Sequence, residues 1–225
     1  MIERSTRQQE RTERSTKALF EAASELIVEG GLASMTFAAI GERAGYSRGL
    51  VTARFGSKEG LVEALIDRIV TTWNHRNVLP LTEGRPGLDG VGTLLDAIRR
   101  QAKSDPRGLR VLYALFFEAL GPNQQLRTRF AKFHDTMRAD VAGLVATGQR
   151  DGSVRPELSP SREATLIVSG LRGIGYQWLL DPDHFDPVGA FAHLHDTTTA
   201  RLAASEKLSA VDRTHQSTST KESLP

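Results

Sequence analysis

Apolar residues recur at intervals of three and four along nearly the whole chain, which is the spacing of one face of an α-helix. No convincing run of alternating β-branched residues bounded by turns indicates a strand, and no repeat of fixed period stands out. A first helix is predicted over about 12–28, ended by Gly30 and Gly31, because glycine adopts the left-handed conformation past a helix end at little cost. Its apolar stripe consists of Leu19, Ala22, Ala23, Leu26 and Ile27.

Hydroxyl residues precede the next three predicted helices. Thr36, Ser47 and Ser57 are each expected to cap a helix start, because a side-chain oxygen can accept a hydrogen bond from an orphan backbone amide. Gly45 and Gly56 are expected to end the first two of these helices. The predicted helices cover 36–44, 47–55 and a longer segment from 57 through Trp73.

The rest of the chain is predicted to add five helices and a tail. Residues 81–90 have the composition of a loop, and residues 205–225 are rich in Ser and Thr and are expected to be disordered. The expected fold class is therefore all-α, with about nine helices. The five later helices are predicted over 91–103, 106–120, 124–150, 161–180 and 187–204.

Composition removes several classes of protein. Of 225 residues, 39% are hydrophobic and 25% charged, which is ordinary globular usage. The absence of cysteine excludes disulfide scaffolds, thiolate metal sites and cysteine nucleophiles. The polar N-terminus is unlike a signal peptide, and no apolar run of about 18 residues occurs, so a cytoplasmic protein without membrane contact is expected.

The positive charge is concentrated in one short segment. The net charge of the chain is only +2, so an argument for nucleic-acid binding depends on where the cations lie. No acidic residue occurs between Glu42 and Glu59. Residues 36–55 have the form helix, short turn, helix, which is typical of a helix-turn-helix whose second helix enters the DNA major groove. The cations of this region are Arg43, Arg48, Arg54 and Lys58.

Lys58 stands at the first position of a predicted helix, where the helix dipole disfavours a cation by about 0.3–1 kcal/mol. A bound phosphate would reverse this penalty, because it would meet both the free amides and the ammonium group. A solvated lysine paired with a nearby glutamate explains the position equally well. Four further arginines in residues 1–14 could form a DNA-contacting arm or a frayed terminus.

Two short runs surround the predicted second helix of this motif. They read GYSRG at 45–49 and FGSKEGL at 55–61. With these runs, residues 36–65 resemble the N-terminal DNA-binding domain of TetR-family transcriptional regulators. The preceding helix with its Gly30-Gly31 end also matches, and residues 170–182 are similar to a pattern near the end of many members.

The resemblance implies a homodimeric repressor that releases a palindromic operator in double-stranded DNA when a small organic effector binds. It implies an arm and a three-helix helix-turn-helix domain over 1–57, and a larger helical effector-binding and dimerisation domain over 58–204. The resemblance implies no enzymatic activity, no cofactor and no metal. The DNA contacts carried over from the family are Thr36, Arg48, Gly49, Leu50, Thr52, Arg54 and Lys58.

These candidates are expected to play different roles at the operator. Arg48 is predicted to read a base, because a guanidinium can bind guanine O6 and N7 in a bidentate manner, and Thr52 is predicted to make smaller contacts. Arg54 and Lys58 are predicted to hold phosphates. Members of the family often carry an aromatic residue at the positions of residues 52–54, and this chain has none, which leaves the operator sequence open.

The effector and dimer residues are expected in the larger domain. Aromatic residues near an arginine would suit an amphipathic or anionic organic molecule. In the family the last two helices form the dimer interface, and a partner helix in close approach would offset the cost of about 1 kcal/mol for each helical glycine. A tight crossing within the chain is the alternative. The effector candidates are Tyr113, Phe117, His134, Met137, Arg138, Arg172 and Tyr176, and the dimer candidates are Leu166, Gly170, Gly173 and Gln177.

Two rival functions stay open at this point. The run GYSRG matches the G-x-S-x-G elbow of hydrolases, but that motif needs a strand before the serine, and the pattern before Ser47 is helical. Ser47 is therefore interpreted as a helix cap rather than a nucleophile. A helical protein–protein adaptor that has lost sequence-specific DNA binding is the second rival, suggested by the missing aromatic residues.

Overall fold

The computed structural model describes residues 2–73 and 87–204, apart from the side chains of residues 2–7, 72 and 73. Within these ranges the chain forms nine helices, one isolated bridge between Val154 and Ala203, and no strand. The prediction of an all-α fold with about nine helices is confirmed for this part of the chain. The helices are α1 (Ile2–Ser34), α2 (Phe37–Ala44), α3 (Arg48–Phe55), α4 (Lys58–Trp73), α5 (Gly87–Ser104), α6 (Pro106–Glu118), α7 (Gln124–Asp151), α8 (Pro160–Leu180) and α9 (Pro187–Leu202).

Two predicted boundaries are wrong. Helix α1 begins at Ile2 rather than near residue 12. Residues 87–90 belong to α5 rather than to a loop, while residues 81–86 and the predicted tail 205–225 lie outside the described residues. The glycines of this segment suggested a loop, but Gly87 is needed because the backbone of Gly148 lies close to it. A Cβ on Gly87 would lie 2.9 Å from the Cα of Gly148.

The predicted caps of the first helices are confirmed. The hydroxyl of Thr36 accepts from the amide of Ala39 at 3.1 Å, and that of Ser47 accepts from the amide of Leu50 at 3.2 Å. Gly45 ends α2 in the left-handed conformation, with φ of 74°. Ser47 therefore follows a helix and a tight turn, which is not the strand that a nucleophile elbow requires.

The predicted end of the first helix is also confirmed. Gly30 and Gly31 leave the helical backbone, and Gly31 has φ of 68°. The hydroxyl of Ser34 then donates to the carbonyl oxygens of Leu26 at 2.6 Å and Gly31 at 2.8 Å. These bonds satisfy carbonyl groups that the broken helix leaves without amide partners.

The three N-terminal helices close around one apolar cluster. Val51 of α3 and Ile40 of α2 are fully buried, and the ring of Phe55 lies 5.3 Å from that of Phe20 on α1. Helix α4 continues the core with Leu61 and other apolar side chains. The remaining helices form a larger body in which α5 packs against α7 and α9, α7 packs against α8, and α6 lies between α1 and α8.

Gly175 of α8 provides a test of this packing, because a Cβ there would overlap the ring of the buried Tyr113 on α6. We expect Gly175→Ala to lower the free energy of unfolding by about 1–3 kcal/mol through overpacking, measured by urea denaturation. Gly143→Ala on α7 is the matched control, because nothing lies within 4 Å of the added methyl group. The control should gain about 1 kcal/mol or less from helix propensity. Equal effects of the two substitutions would contradict the assigned contact.

Candidate nucleic-acid interface and effector cluster

The outer face of α3 is open to solvent. Arg48, Gly49, Thr52 and Ala53 are exposed there, while Val51 on the opposite face is fully buried. The Ser47 cap and the burial of Val51 fix the rotation of this short helix. Three of the predicted DNA contacts, Arg48, Gly49 and Thr52, therefore lie on the outward face of α3.

The other predicted DNA residues lie around this face. Leu50 is half-buried, and Thr36 is exposed at the start of α2. A Cβ on Gly49 would meet only the hydroxyl oxygen of Ser47, at 3.7 Å, so Gly49 is not required by the fold. Its small size leaves the backbone of α3 accessible from outside.

Arg54 and Lys58 are bound within the protein. The Nη1 atom of Arg54 donates to the Thr16 hydroxyl and, at 3.4 Å, to the carbonyl oxygen of Thr12, which ties the end of α3 to α1. The Nζ atom of Lys58 donates to the carbonyl oxygen of Leu32. The sequence analysis missed both contacts, because each joins residues that are more than 25 positions apart.

One of the two explanations offered for Lys58, the pairing with a glutamate, needs correction. The ammonium group pairs with a backbone carbonyl oxygen after the Gly30–Gly31 break, rather than with a glutamate, and the negative end of a broken helix attracts such a cation. The N-terminus of α4 already has its own anion: hydrogen bonds from the Glu59 amide and from Ser57 lower the pKa of the Glu59 carboxyl group. The phosphate contact of Lys58 stays a prediction.

A chain of ion pairs connects the helix-turn-helix to the larger body. Arg107 of α6 lies 2.7 Å from Glu25 of α1, and the same carboxylate lies 3.9 Å from Arg43 of α2. Arg43 also pairs with Glu29 at 2.7 Å. Arg43 was counted among the cations near the groove, but these contacts direct its charge toward α1. We call Arg107, Glu25 and Arg43 the inter-helix relay.

A second contact supports the relay. A carboxylate oxygen of Glu118, at the end of α6, accepts a hydrogen bond from the Leu32 amide at 3.3 Å. The first and last turns of α6 therefore both contact α1 or the turn that follows it. No local pattern in the sequence could have identified Glu25, Arg107 or Glu118 as partners.

In the larger body, four of the seven predicted effector residues meet around one guanidinium group. The Nε atom of Arg172 donates to Nε2 of His134 at 2.8 Å, and its Nη2 atom donates to the sulfur of Met137 at 3.0 Å. The guanidinium carbon lies 5.5 Å from the ring centre of Tyr113 and 4.4 Å from that of Phe116. Phe116 was not among the predicted effector residues. We call these five residues the arginine cluster.

The other three predicted effector residues lie elsewhere. The rings of Phe117 and Tyr176 contact each other, with centres 5.4 Å apart, and Tyr176 is half-exposed next to the arginine cluster. Arg138 is paired with Asp135 one turn earlier on α7. The structure does not bring Arg138 into the arginine cluster, since its side chain pairs locally on the surface of the helix.

The hydrogen bonds assign the charge state of the cluster. His134 donates from Nδ1 to the carbonyl oxygen of Phe130 at 2.7 Å and accepts from Arg172 at Nε2, so the imidazole is neutral. Burial and then the charge of Arg172 lower the pKa of His134. Burial raises the pKa of Tyr113, whose hydroxyl donates to the carbonyl oxygen of Leu171 at 2.9 Å. Near neutral pH the cluster therefore carries the single positive charge of Arg172.

The predicted dimer residues divide into two groups. Leu166 of α8 is 57% exposed, Gln177 is exposed, and a Cβ on Gly173 would meet nothing within 4 Å. Gly170 differs, because a Cβ there would lie 2.8 Å from a methyl carbon of Leu194 on α9. The expectation of a partner helix over Gly170 is therefore corrected: the close approach is a helix crossing within the chain.

A cleft of about 510 Å³ lies between α1, α4 and α6. Phe20 and Arg68 line it, with the Arg68 guanidinium 5.4 Å from the centre of the Phe20 ring. None of the seven predicted effector residues lines this cleft. Across residues 2–73 and 87–204, no helix has the length and apolarity needed to cross a membrane, and no group of three His, Asp or Glu side chains could hold a metal.

The neutral state of His134 predicts a pH effect on stability. Because its pKa is lowered in the folded chain, the unfolded chain binds the proton more readily, and stability falls as the pH drops below the ordinary histidine value of about 6.5. We expect His134→Gln to show a smaller loss of unfolding free energy between pH 7.5 and 5.5 than the wild type, in urea titrations. His193→Gln is the comparison variant, because His193 is exposed and no ion pair joins it to another described residue. An identical loss in the wild type and His134→Gln would contradict the assignment.

The relatives of the chain agree with the geometry of α2 and α3. Residues 19–65 match the family model for bacterial regulatory proteins of the TetR family, and residues 90–203 match the model for the C-terminal part of BetI-type transcriptional repressors. The HTH-type transcriptional regulator TtgR of Pseudomonas putida is 28% identical over 211 residues, which cover 90% of this chain and 98% of TtgR. The HTH-type transcriptional regulator BetI of Paraburkholderia phytofirmans is 34% identical over 202 residues, which cover 84% of this chain and 93% of BetI.

Solved structures show the same fold. The crystal structure of a transcriptional regulator from Saccharomonospora viridis in complex with choline has a TM-score of 0.71 at 20% identity, and the alignment covers 83% of this chain and 96% of that one. The two family matches together span both the helix-turn-helix and the larger helical body. The chain therefore belongs to the TetR family of DNA-binding transcriptional regulators.

Proposed function

We propose that this chain is a homodimeric repressor that binds a palindromic operator through α3 and releases it when a small organic effector binds. The observation that carries the proposal is the uncovered outer face of α3, held in a fixed orientation by the Ser47 cap and the buried Val51. In this assignment residues 1–57 form the DNA-binding domain and residues 58–204 form the effector-binding and dimerisation domain.

Base recognition is assigned to the exposed residues of α3. Arg48 reads a guanine through its guanidinium group, and Thr52 contacts a neighbouring base such as a thymine methyl group. Gly49 lets the backbone approach the DNA closely, with Thr36 and Leu50 beside it. Because no bulky side chain projects from this face, few atoms contribute to discrimination between operators.

Arg54 and Lys58 act on DNA binding indirectly. Both are half-buried and donate hydrogen bonds to α1 or to the turn that follows it. They hold α3 and α4 in position against α1, so that their loss disturbs the orientation of the recognition helix. This role replaces the direct phosphate contact that the sequence suggested.

An exposed apolar stripe on α8 supports the dimer. Leu166 and Leu180 are 57% and 66% exposed, and the open Gly173 lies between them. Large apolar side chains in a row on one exposed helix face mark an interaction surface. A twofold pairing of α8 with its copy would place two recognition helices for a palindrome, whose half-sites lie about 34 Å or a multiple apart.

Release of the operator requires that a structural change in the larger body alters the position of α3. Helix α6 can transmit this change, because the inter-helix relay and the Glu118 contact join its two ends to the N-terminal helices. An effector shifts the equilibrium only if it binds one orientation of α6 more tightly than the other. A movement of α6 would then change the position of α1, to which α3 is tied.

The assignment of α3 is tested by substituting its cations one at a time. We expect Arg48→Ala to bind the operator at least tenfold more weakly and to lose most of its sequence preference with an unchanged melting temperature, because Arg48 is exposed. Arg54→Met and Lys58→Met should lower both affinity and melting temperature, because their internal hydrogen bonds are lost. Electrophoretic mobility shifts on a duplex selected from a random library by the wild-type protein, and thermal melting, measure these effects.

Two outcomes would contradict this assignment. Arg48→Ala with unchanged sequence preference would remove Arg48 as the base reader. If the wild-type protein selects no duplex but still forms dimers, the chain is a protein–protein adaptor rather than a repressor.

The dimer surface has its own test. We expect Leu166→Glu to shift the protein from dimer to monomer in sedimentation analysis and to weaken operator binding at least tenfold, because a carboxylate would be buried against its copy at the twofold axis. Thr136→Glu on the exposed face of α7 is the control and should remain dimeric. Retention of the dimer by Leu166→Glu would place the interface elsewhere.

A further inference from the structure

Arg172 of α8 has no carboxylate partner among the described residues, although its guanidinium group lies between aromatic rings. Its two side-chain acceptors are the neutral imidazole of His134 and the thioether of Met137. A thioether is a weak acceptor, so Nη2 makes a poor hydrogen bond for a charged donor. The positive charge in this part of the body is therefore not compensated by the protein's own described groups.

Three other arginines of the body have a carboxylate partner, which Arg172 lacks within the described ranges. Arg201 pairs with the buried Glu163, and Arg129 pairs with Asp67, while Arg99 pairs with Asp96 on its own helix. Each of these cations has a carboxylate at ion-pair distance. Enclosing a charge without such a partner costs stability, which a purely structural side chain could avoid by being apolar. Arg172 is an enclosed cation without such a partner in the described part of the chain, held between α6, α7 and α8.

We propose that Arg172 is the anchor for the carboxylate of an organic acid with an aromatic or aliphatic body, and that this acid is the effector of the regulator. The identification of the acid as effector rests on the proposed function above. The anchor itself rests only on the arginine cluster and its surroundings.

The hydrogen bonds around Arg172 indicate how the acid would bind. A carboxylate oxygen would replace the Met137 sulfur at Nη2, which exchanges a weak acceptor for a charge-assisted hydrogen bond. The Met137 side chain is flexible and can move aside. The bond from Nε to His134 would stay in place and keep the guanidinium plane oriented.

Aromatic surface for the body of the acid lies next to this anchor. Tyr176 follows Arg172 by one helical turn, is half-exposed, and contacts the ring of Phe117. These two rings offer an apolar surface between the guanidinium group and solvent. A molecule with a charged head and an apolar body matches this order of groups.

The same geometry disfavours a quaternary ammonium ligand. Such cations bind over aromatic faces, but Arg172 already lies over the rings of Phe116 and Tyr113. A second cation in the cluster would meet a like charge. A ligand such as choline, which the Saccharomonospora viridis structure contains, would therefore be excluded from the arginine cluster.

The cluster is also placed to act on DNA binding. Tyr113 and Phe116 belong to α6, whose ends contact α1 through Arg107 and Glu118. An acid that displaces the Met137 side chain from Nη2 would change the packing around Arg172, where α6 lies against α8. Binding at Arg172 would thereby change the position of α6 and the ion pairs of the inter-helix relay.

The experiment uses the purified full chain and a matched ligand series. Phenylacetate and the straight-chain fatty acids of four to twelve carbons are titrated by calorimetry, each beside its neutral primary amide, and choline is titrated as the cationic probe. We expect at least one acid to bind at least tenfold more tightly than its amide and to release the operator, while choline does neither.

Substitutions then locate the acid. Arg172→Gln should weaken acid binding by about 10- to 100-fold, the range expected when a charged hydrogen-bonding partner is lost. If Arg172→Gln folds poorly, Arg172→Lys is used in its place. This variant keeps the positive charge and should therefore keep the preference for acid over amide. Arg138→Gln is the matched control, because this arginine lies on the neighbouring helix and pairs with Asp135.

The proposal is overturned if no acid binds, if acids and amides bind equally, if choline releases the operator, or if Arg172→Gln and Arg172→Lys both keep wild-type acid affinity. Failure of the proposed function gives a different result, since a chain that binds no duplex could still bind acids through Arg172 in the calorimetric titration. The two failures are therefore distinguishable.

Discussion

The anchoring of α3 to α1 is the interaction on which the rest of the molecule depends. Helix α3 is eight residues long, and an isolated helix of this length is not stable in water. Its start is fixed by the Ser47 cap, its inner face by Val51 and Phe55, and its end by the bonds of Arg54 to Thr16 and Thr12. Every proposed base contact inherits its position from these groups, so α1 determines where the recognition surface lies.

Helix α6 extends this dependence into the larger body. It contacts α1 through ion pairs and a backbone hydrogen bond near its two ends, and its middle part carries Tyr113 and Phe116 to the guanidinium group of Arg172. The relay side chains are partly exposed, and exposed ion pairs contribute little stability each. Weak contacts of this kind suit an inter-helix connection that changes in the proposed response to an effector.

Local chemistry explains why much of this structure could be predicted from the sequence. The helix boundaries at Thr36, Gly45 and Ser47 depend on caps and left-handed glycines within a few residues, and these the sequence shows directly. The internal bonds of Arg54 and Lys58 depend on groups more than 25 positions away, which periodicity cannot reveal. The glycines of α8 illustrate both cases. The sequence shows that each glycine weakens the helix, but it does not show what faces each one. Tertiary packing decides that Gly170 faces Leu194, that Gly175 faces Tyr113 and that Gly173 is open.

The internal use of Arg54 and Lys58 has a consequence for how the protein responds to ionic strength. Cations that bind DNA phosphates release condensed counterions, and each such contact steepens the dependence of affinity on salt by about 0.9 in a double-logarithmic plot. In the indirect role proposed for them, Arg54 and Lys58 stay bonded to Thr16 and Leu32 and add no phosphate contact of this kind. The regulator would hold its operator over a wider range of salt concentration than its number of arginines and lysines suggests, with shape and base contacts contributing more of the affinity.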